Sequence, residues 1–152
     1  MIMVYKWTKS LETGNETIDS QHREIFYNIN KFINAVYEGE GEQELEKIAA
    51  YLYKYTLQHF EDEENLFLKY NYPAYEEHKE IHDKFKGKVI DIVSDIIHQN
   101  KTEEIVQKLT DVLNTWLTNH IKFEDFKFVE YLKKIETIEW YTINIKFKKK
   151  LD

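Results

Sequence analysis

At 152 residues the chain has the size of one domain, long enough to bury its own core, and an aromatic content of 15% argues against disorder. The net charge of -7 argues against nucleic acid, which selects a basic face, and the absence of cysteine excludes disulfides and thiolate ligands. The opening Met1-Ile2-Met3-Val4-Tyr5-Lys6-Trp7 lacks the basic start and apolar run of a leader, and no stretch reaches the roughly 18 apolar residues of a membrane span, so a cytosolic protein without a membrane partner is expected.

Four glycines and one proline punctuate long periodic stretches. Over about 19–38, Ile25, Ile29, Phe32 and Val36 recur at helical spacing until Gly39-Glu40-Gly41. Over about 42–70 a stripe of Leu45, Ile48, Leu52, Tyr55, Phe60, Leu66 and Tyr70 closes at Asn71-Tyr72-Pro73, where proline and the residue before it disfavour helix. Over about 74–99 the stripe is Ile81, Phe85, Val89, Ile92 and Ile96. A fourth helix, about 103–134, opens at Thr102 as N-cap with Glu103 and Glu104 behind it, and carries Leu109, Leu113, Leu117 and Ile121. In the tail, 136–152, Tyr141, Ile143, Ile145 and Phe147 alternate with polar residues at period two, which reads as a strand with no sheet to join. That segment and Trp140 are expected to lie on the bundle exterior or to pair with the Met1–Trp7 stretch. Long amphipathic helices with short connections pack as antiparallel neighbours, so the predicted fold is all-α, an up-down-up-down four-helix bundle in one domain.

Polar residues interrupt these stripes at a few places. His22 lies on the first stripe, His59 and Glu63 on the second, His78 and His82 on the third, and His120 on the fourth, with Asp125 five residues on. Residues at i and i+4 stack on one helix face, so His59/Glu63 and His78/His82 can each converge on a point inside the bundle. A single core histidine is ordinarily a hydrogen-bonded packing residue, and a single buried glutamate an ion-pair partner. Five imidazoles with carboxylates in one core would be a stack of unsatisfied polar groups without a metal. The set is too large for one tetrahedral zinc, and imidazole with bridging carboxylate suits a pair of metal ions. No H-E-x-x-H or E-x-x-H occurs, so neither a zincin protease nor a ferritin-like oxidase is supported.

Trp7, Ile18-Asp19-x-Gln21-His22, His59-Phe60-x-x-Glu63-Glu64, Tyr72-Pro73 with His78 and His82, and Trp116-Leu117-x-x-His120 with Asp125 together resemble the hemerythrin family of bacteria, over about residues 5–134. The resemblance implies two non-haem irons, one on His78, His82 and His120 and the other on His22 and His59, bridged by Glu63, Asp125 and a solvent-derived oxo or hydroxo. It implies reversible O2 binding at the position left open on the second iron, for storage, transport or delivery to an oxygen-using enzyme. The alternative is a di-iron enzyme or sensor acting on peroxide, nitric oxide or O2. Leu117 and Trp116 are expected to roof the O2 pocket, with Phe26, Tyr55, Phe60 and Phe128 as pocket or core wall. Helical geometry alone would choose Glu124 over Asp125, because i+5 lies about 140° off the His120 face; choosing Asp125 requires a local bend, such as a π-type turn. Glu61 and Asp62 are expected to face water, Glu64 to bond a ligand imidazole, and His98 to be no ligand. A monomer is expected.

Overall fold

The computed structural model of the chain describes residues 5–40, 42–99, 104, 107–108, 111 and 113–148. A 3-10 turn, Lys9–Leu11, leads to α1 (Glu16–Tyr37), α2 (Glu42–Lys69) and α3 (Tyr75–Gln99). The last helix, α4, spans 113–148 and is composite: Leu113–Leu117 and Ile121–Asp125 take the wider π-turn, while Thr118–His120 and Phe126–Lys148 are regular α-helix. The fold is the expected four-helix bundle.

The helix ends follow the punctuation. Asn15 caps α1 by accepting from the Ile18 amide at 3.1 Å. Gly39 closes it in the left-handed region at φ 74°, with Glu40 N–H donating to Ala35 O and Gly39 N–H to Val36 O. Asn71, at φ 51°, repeats that closure after α2: Tyr72 N–H donates to Phe67 O and Asn71 N–H to Leu68 O. Glycine and asparagine tolerate this backbone, and both residues stand where the periodic stripes stop.

Two apolar clusters fill the bundle. Ile25, Phe26, Phe60, Phe85, Leu117 and Ile121 belong to one, and Ile18, Phe67, Tyr72, Phe128 and Leu132 to the other. On every helix the candidate ligands fall in sequence between members of the two, so the polar residues form a layer between apolar halves. Cross-helix contacts fix α4 antiparallel to α1 and α3. Lys133 Nζ donates to Thr13 O at 3.3 Å, Phe128 packs edge-on against Tyr72, and Trp116 stacks on Phe85. The N-terminal strap is held by Asn30, which accepts from Tyr5 N at 2.9 Å and donates to Tyr5 O at 2.8 Å. That bond pair sets Trp7 beside His22 and Phe26.

The C-terminal reading is corrected. Residues 136–148 are not a strand or a separate tail: helix continues unbroken from Phe126 to Lys148. No glycine or proline stands in that stretch to stop it. A lone strand would leave its backbone groups without a ladder, whereas a helix satisfies them internally. Trp140 is 61% exposed and Ile138 64%, so these side chains do not lie against the bundle. Residues 1–4 of the Met1–Trp7 stretch suggested as a pairing partner, and the Thr102 cap, lie outside the described residues. Among the described residues no helix is long and apolar enough to cross a membrane.

Candidate metal centre

Each helix supplies part of one buried site: His22 from α1, His59 and Glu63 from α2, His78 and His82 from α3, His120 and Asp125 from α4. All seven are at most 4% exposed. Their ligand atoms sort into two groups that share both carboxylates, Glu63, His78, His82, His120 and Asp125 in one and His22, His59, Glu63 and Asp125 in the other. Asp125 is turned so that Oδ2 stands 3.1 Å from His22 Nε2, while Oδ1 stands 3.1 Å from His78 Nε2 and 3.0 Å from His120 Nε2. Glu63 Oε2 is 3.4 Å from His82 Nε2 and 3.8 Å from His59 Nε2.

Asp125 reaches the site through the backbone. The Phe126 amide donates to Ile121 O, a bond five residues long, and this π-turn carries Asp125 round beneath His120. Glu124, one residue earlier, is left on the outside and pairs with Lys127 at 3.2 Å.

The packing makes no sense as ordinary hydrogen bonding. Both ring nitrogens of His22, both oxygens of Glu63 and of Asp125, and Nδ1 of His78 and His120 are buried without an aligned partner, although some lie close to one another. His120 Nε2 stands 3.2 Å from His78 Nε2 and 3.1 Å from His82 Nε2. Neighbouring ligand atoms on an octahedral ion with bonds of about 2.1 Å are about 3.0 Å apart, so this spacing is what donors around a common cation adopt. Neutral imidazoles and two carboxylates are the donor set for a pair of borderline ions. The residues fit a dinuclear metal.

The electrostatics agree. Burial, and then the neighbouring His22, holds His59 well below the usual histidine range. Burial, then His120 and His78, lowers His82 likewise. Both rings are therefore neutral, as ligation requires. Burial, with Asp125 beside it, pushes Glu63 well above the usual carboxyl range. Burial would raise Asp125 too, but the imidazoles of His120, His22 and His78 outweigh it and hold Asp125 well below that range.

The outward nitrogens of two rings are anchored. His82 Nδ1 bonds Glu64 Oε1 at 3.0 Å, the contact expected of Glu64, and Lys86 stands 3.5 Å from the same oxygen. His59 Nδ1 bonds Gln21 Oε1 at 2.9 Å, and Gln21 Nε2 donates to Asp62 Oδ2 at 2.7 Å. Asp62 is thus half-buried and engaged, and does not face water as expected; Glu61 does face water. The sign that could have found this was the Gln21-His22 step, with Asp62 next to Glu63 one helix away. Trp116 lies flat on His120, with ring centroids 4.4 Å apart and planes 9° apart, and stacks on Phe85 at 3.6 Å. It therefore walls the five-ligand group. Leu117 is buried in the cluster with Ile25 and Phe26. Phe60 stacks on His82 at 3.9 Å, while Phe128 belongs to the opposite cluster. The side chain of His98 lies outside the described residues, and its backbone falls in the last turn of α3.

The family model described as the hemerythrin HHE cation binding domain matches residues 13–132, a span that contains all seven residues. The chain belongs to the hemerythrin family. A bacteriohemerythrin of Pseudomonas aeruginosa (strain LESB58) is 31% identical over 127 residues, covering 84% of this chain and 80% of the relative. A myohemerythrin of Sipunculus nudus is 27% identical over 124 residues, covering 82% and 90%. Among solved structures, crystalline wild-type hemerythrin superposes with a TM-score of 0.74 at 29% identity, covering 84% of this chain and 96% of that one. A leucine-to-alanine variant of hemerythrin gives 0.75 at 28%. The hemerythrin-family match stops at residue 132, so residues 133–148 of α4 lie beyond it.

Proposed function

We propose that this protein binds O2 reversibly at a pair of non-haem irons, as an oxygen store, carrier or donor to an oxygen-using enzyme. His78, His82 and His120 would hold one iron, His22 and His59 the other, and Glu63 and Asp125 would bridge them. The observation that supports this most is the posture of Asp125, whose two oxygens face different imidazole groups at 3.0–3.1 Å. A carboxylate so placed serves two ions at once. Three imidazoles stand on one side and two on the other, so an ion held by His22 and His59 would have one protein ligand fewer and could take a small molecule. When bound, the iron pair supplies the electrons and the coordination position for O2.

The residues around it favour return of the ligand over its breakdown. Five imidazoles make the donor set less anionic than one of carboxylates alone. Leu117, Ile25 and Phe26 are buried apolar neighbours that keep water from the space. No side chain outside the seven donors presents a free acid to this layer; the buried unpaired polar atoms belong to the donors, apart from Trp7 Nε1, among the described residues.

The test is an optical spectrum of the iron-loaded, reduced protein before air, after air and after degassing. Return of the reduced spectrum is expected. Irreversible conversion to the ferric form, or turnover of peroxide or nitric oxide, would instead assign an enzymatic or sensing role. Metal analysis should give two irons per chain; one zinc per chain would end the reading.

A further inference from the structure

We propose that Asp62 and Gln21 form an orientation lock that decides which nitrogen of His59 carries its proton, leaving the lone pair of Nε2 for the metal layer. The inference rests on the reading of His59 as an iron ligand and concerns two residues outside the donor set.

A glutamine amide has a donating end and an accepting end, and can present either. Here its orientation is decided by Asp62, whose carboxylate only accepts. Gln21 Nε2 must therefore face Asp62 Oδ2, at 2.7 Å, and Asp62 Oδ1 is taken by Gln58 Nε2 at 3.0 Å. That leaves Gln21 Oε1 against His59 Nδ1, at 2.9 Å, where only a ring N–H can meet it. With its proton held on Nδ1, the neutral ring keeps its lone pair on Nε2, which points at Glu63 and the metal layer. Reversing the amide would set oxygen against carboxylate and NH2 against Nδ1. The ring proton would then move to Nε2, and His59 could no longer ligate.

The partner of His82 needs no such device. Glu64 is a carboxylate, which accepts from Nδ1 in any orientation. The lock is therefore confined to the side of the site with fewer protein ligands. There the outward partner is a neutral amide, so the imidazole receives less electron density than one bonded to a carboxylate. Asp62 is a positioning residue: it touches neither the donors nor the layer, and acts through Gln21.

The experiment uses full-length protein loaded anaerobically with ferrous iron and challenged with a ferrous chelator. It compares wild type, Asp62→Ala, the double variant Gln21→Glu/Asp62→Ala, and Gln58→Ala. Asp62→Ala frees the amide to turn, and should weaken retention of one of the two irons by about 10- to 100-fold. The double variant offers His59 an acceptor that needs no orienting, and should again retain both irons. Its midpoint potential should fall below that of wild type, because a carboxylate on Nδ1 makes the ring a stronger donor. Gln58→Ala should match wild type. The helix tolerates alanine at a half-exposed position, and matched melting curves establish that the variants are folded.

Unchanged retention in Asp62→Ala overturns the lock while leaving the di-iron reading intact. So does loss that the double variant fails to repair, since Asp62 would then act merely by tying α1 to α2. Wild-type protein that retains no iron overturns both readings together.

Discussion

Asp125 shows how far a single residue can depart from helical arithmetic. The i+4 rule points from His120 to Glu124, and the structure turns Glu124 outward to Lys127 while a π-turn brings Asp125 inward. Asp125→Ala should therefore abolish binding of both irons, since both groups lose a shared carboxylate. Glu124→Ala should leave two irons per chain and change stability by no more than about 0.5 kcal/mol. Metal analysis of the two variants decides it, and equal losses would show that the π-turn does not select the ligand. Six of the seven proposed donors are legible because each interrupts an apolar stripe at its own spacing. Asp125 was legible only through the likeness of its motif to a family, because backbone hydrogen bonding, which no side-chain pattern encodes, moves it into place. The Asp62–Gln21–His59 chain escaped the sequence reading for a related reason: it joins two helices whose rotational setting is fixed only by packing.

The elements teach a different lesson at the two ends of the chain. Gly39 and Asn71 are punctuation that the fold uses literally, each in the left-handed position that closes a helix. The C-terminal alternation of Tyr141, Ile143, Ile145 and Phe147 suggested a strand, yet the segment is helix through Lys148. Period two is a consequence of burying one face of a sheet, and without a neighbouring sheet it carries no instruction. Ile138, Trp140 and Tyr141 are each more than half exposed, so residues 136–142 contribute little buried area. Deleting residues 138–152 should shift the melting temperature by only about 1–2 °C and leave iron content unchanged. A drop several times larger would show that the extension is packed in solution.

For the molecule as a whole, the donor layer stabilises the fold only when occupied. Both oxygens of Glu63 and Asp125 and several ring nitrogens are buried without aligned partners, and each such group costs about 1–3 kcal/mol. Removing iron should lower the urea midpoint substantially, by an amount equivalent to more than about 5 kcal/mol. Acid should act in the same direction. The folded chain holds His59 and His82 below their ordinary range, so below about pH 6.5 the unfolded chain takes up protons that the folded one refuses. Glu63 works oppositely, because its raised value lets the folded chain keep a proton the unfolded one releases, and it offsets one of the two histidines. The metal-free protein should accordingly lose roughly 1.4 kcal/mol of stability per pH unit between about pH 6.5 and 4.5. Denaturation at pH 7 and pH 5 checks the sign; equal or greater stability at pH 5 would contradict it. The iron-loaded protein should release metal over the same range, because protons compete for the imidazoles.

The layer between the two apolar clusters draws at least one donor from every helix. In a chain without cysteine, an ion pair held there is a cross-link joining residues as far apart as 22 and 125, closing long loops in the way a disulfide would. No helix can swing away alone without breaking its share of the knot. Exchange of such ions would require the whole bundle to open, so metal retention and folding stability should rise and fall together.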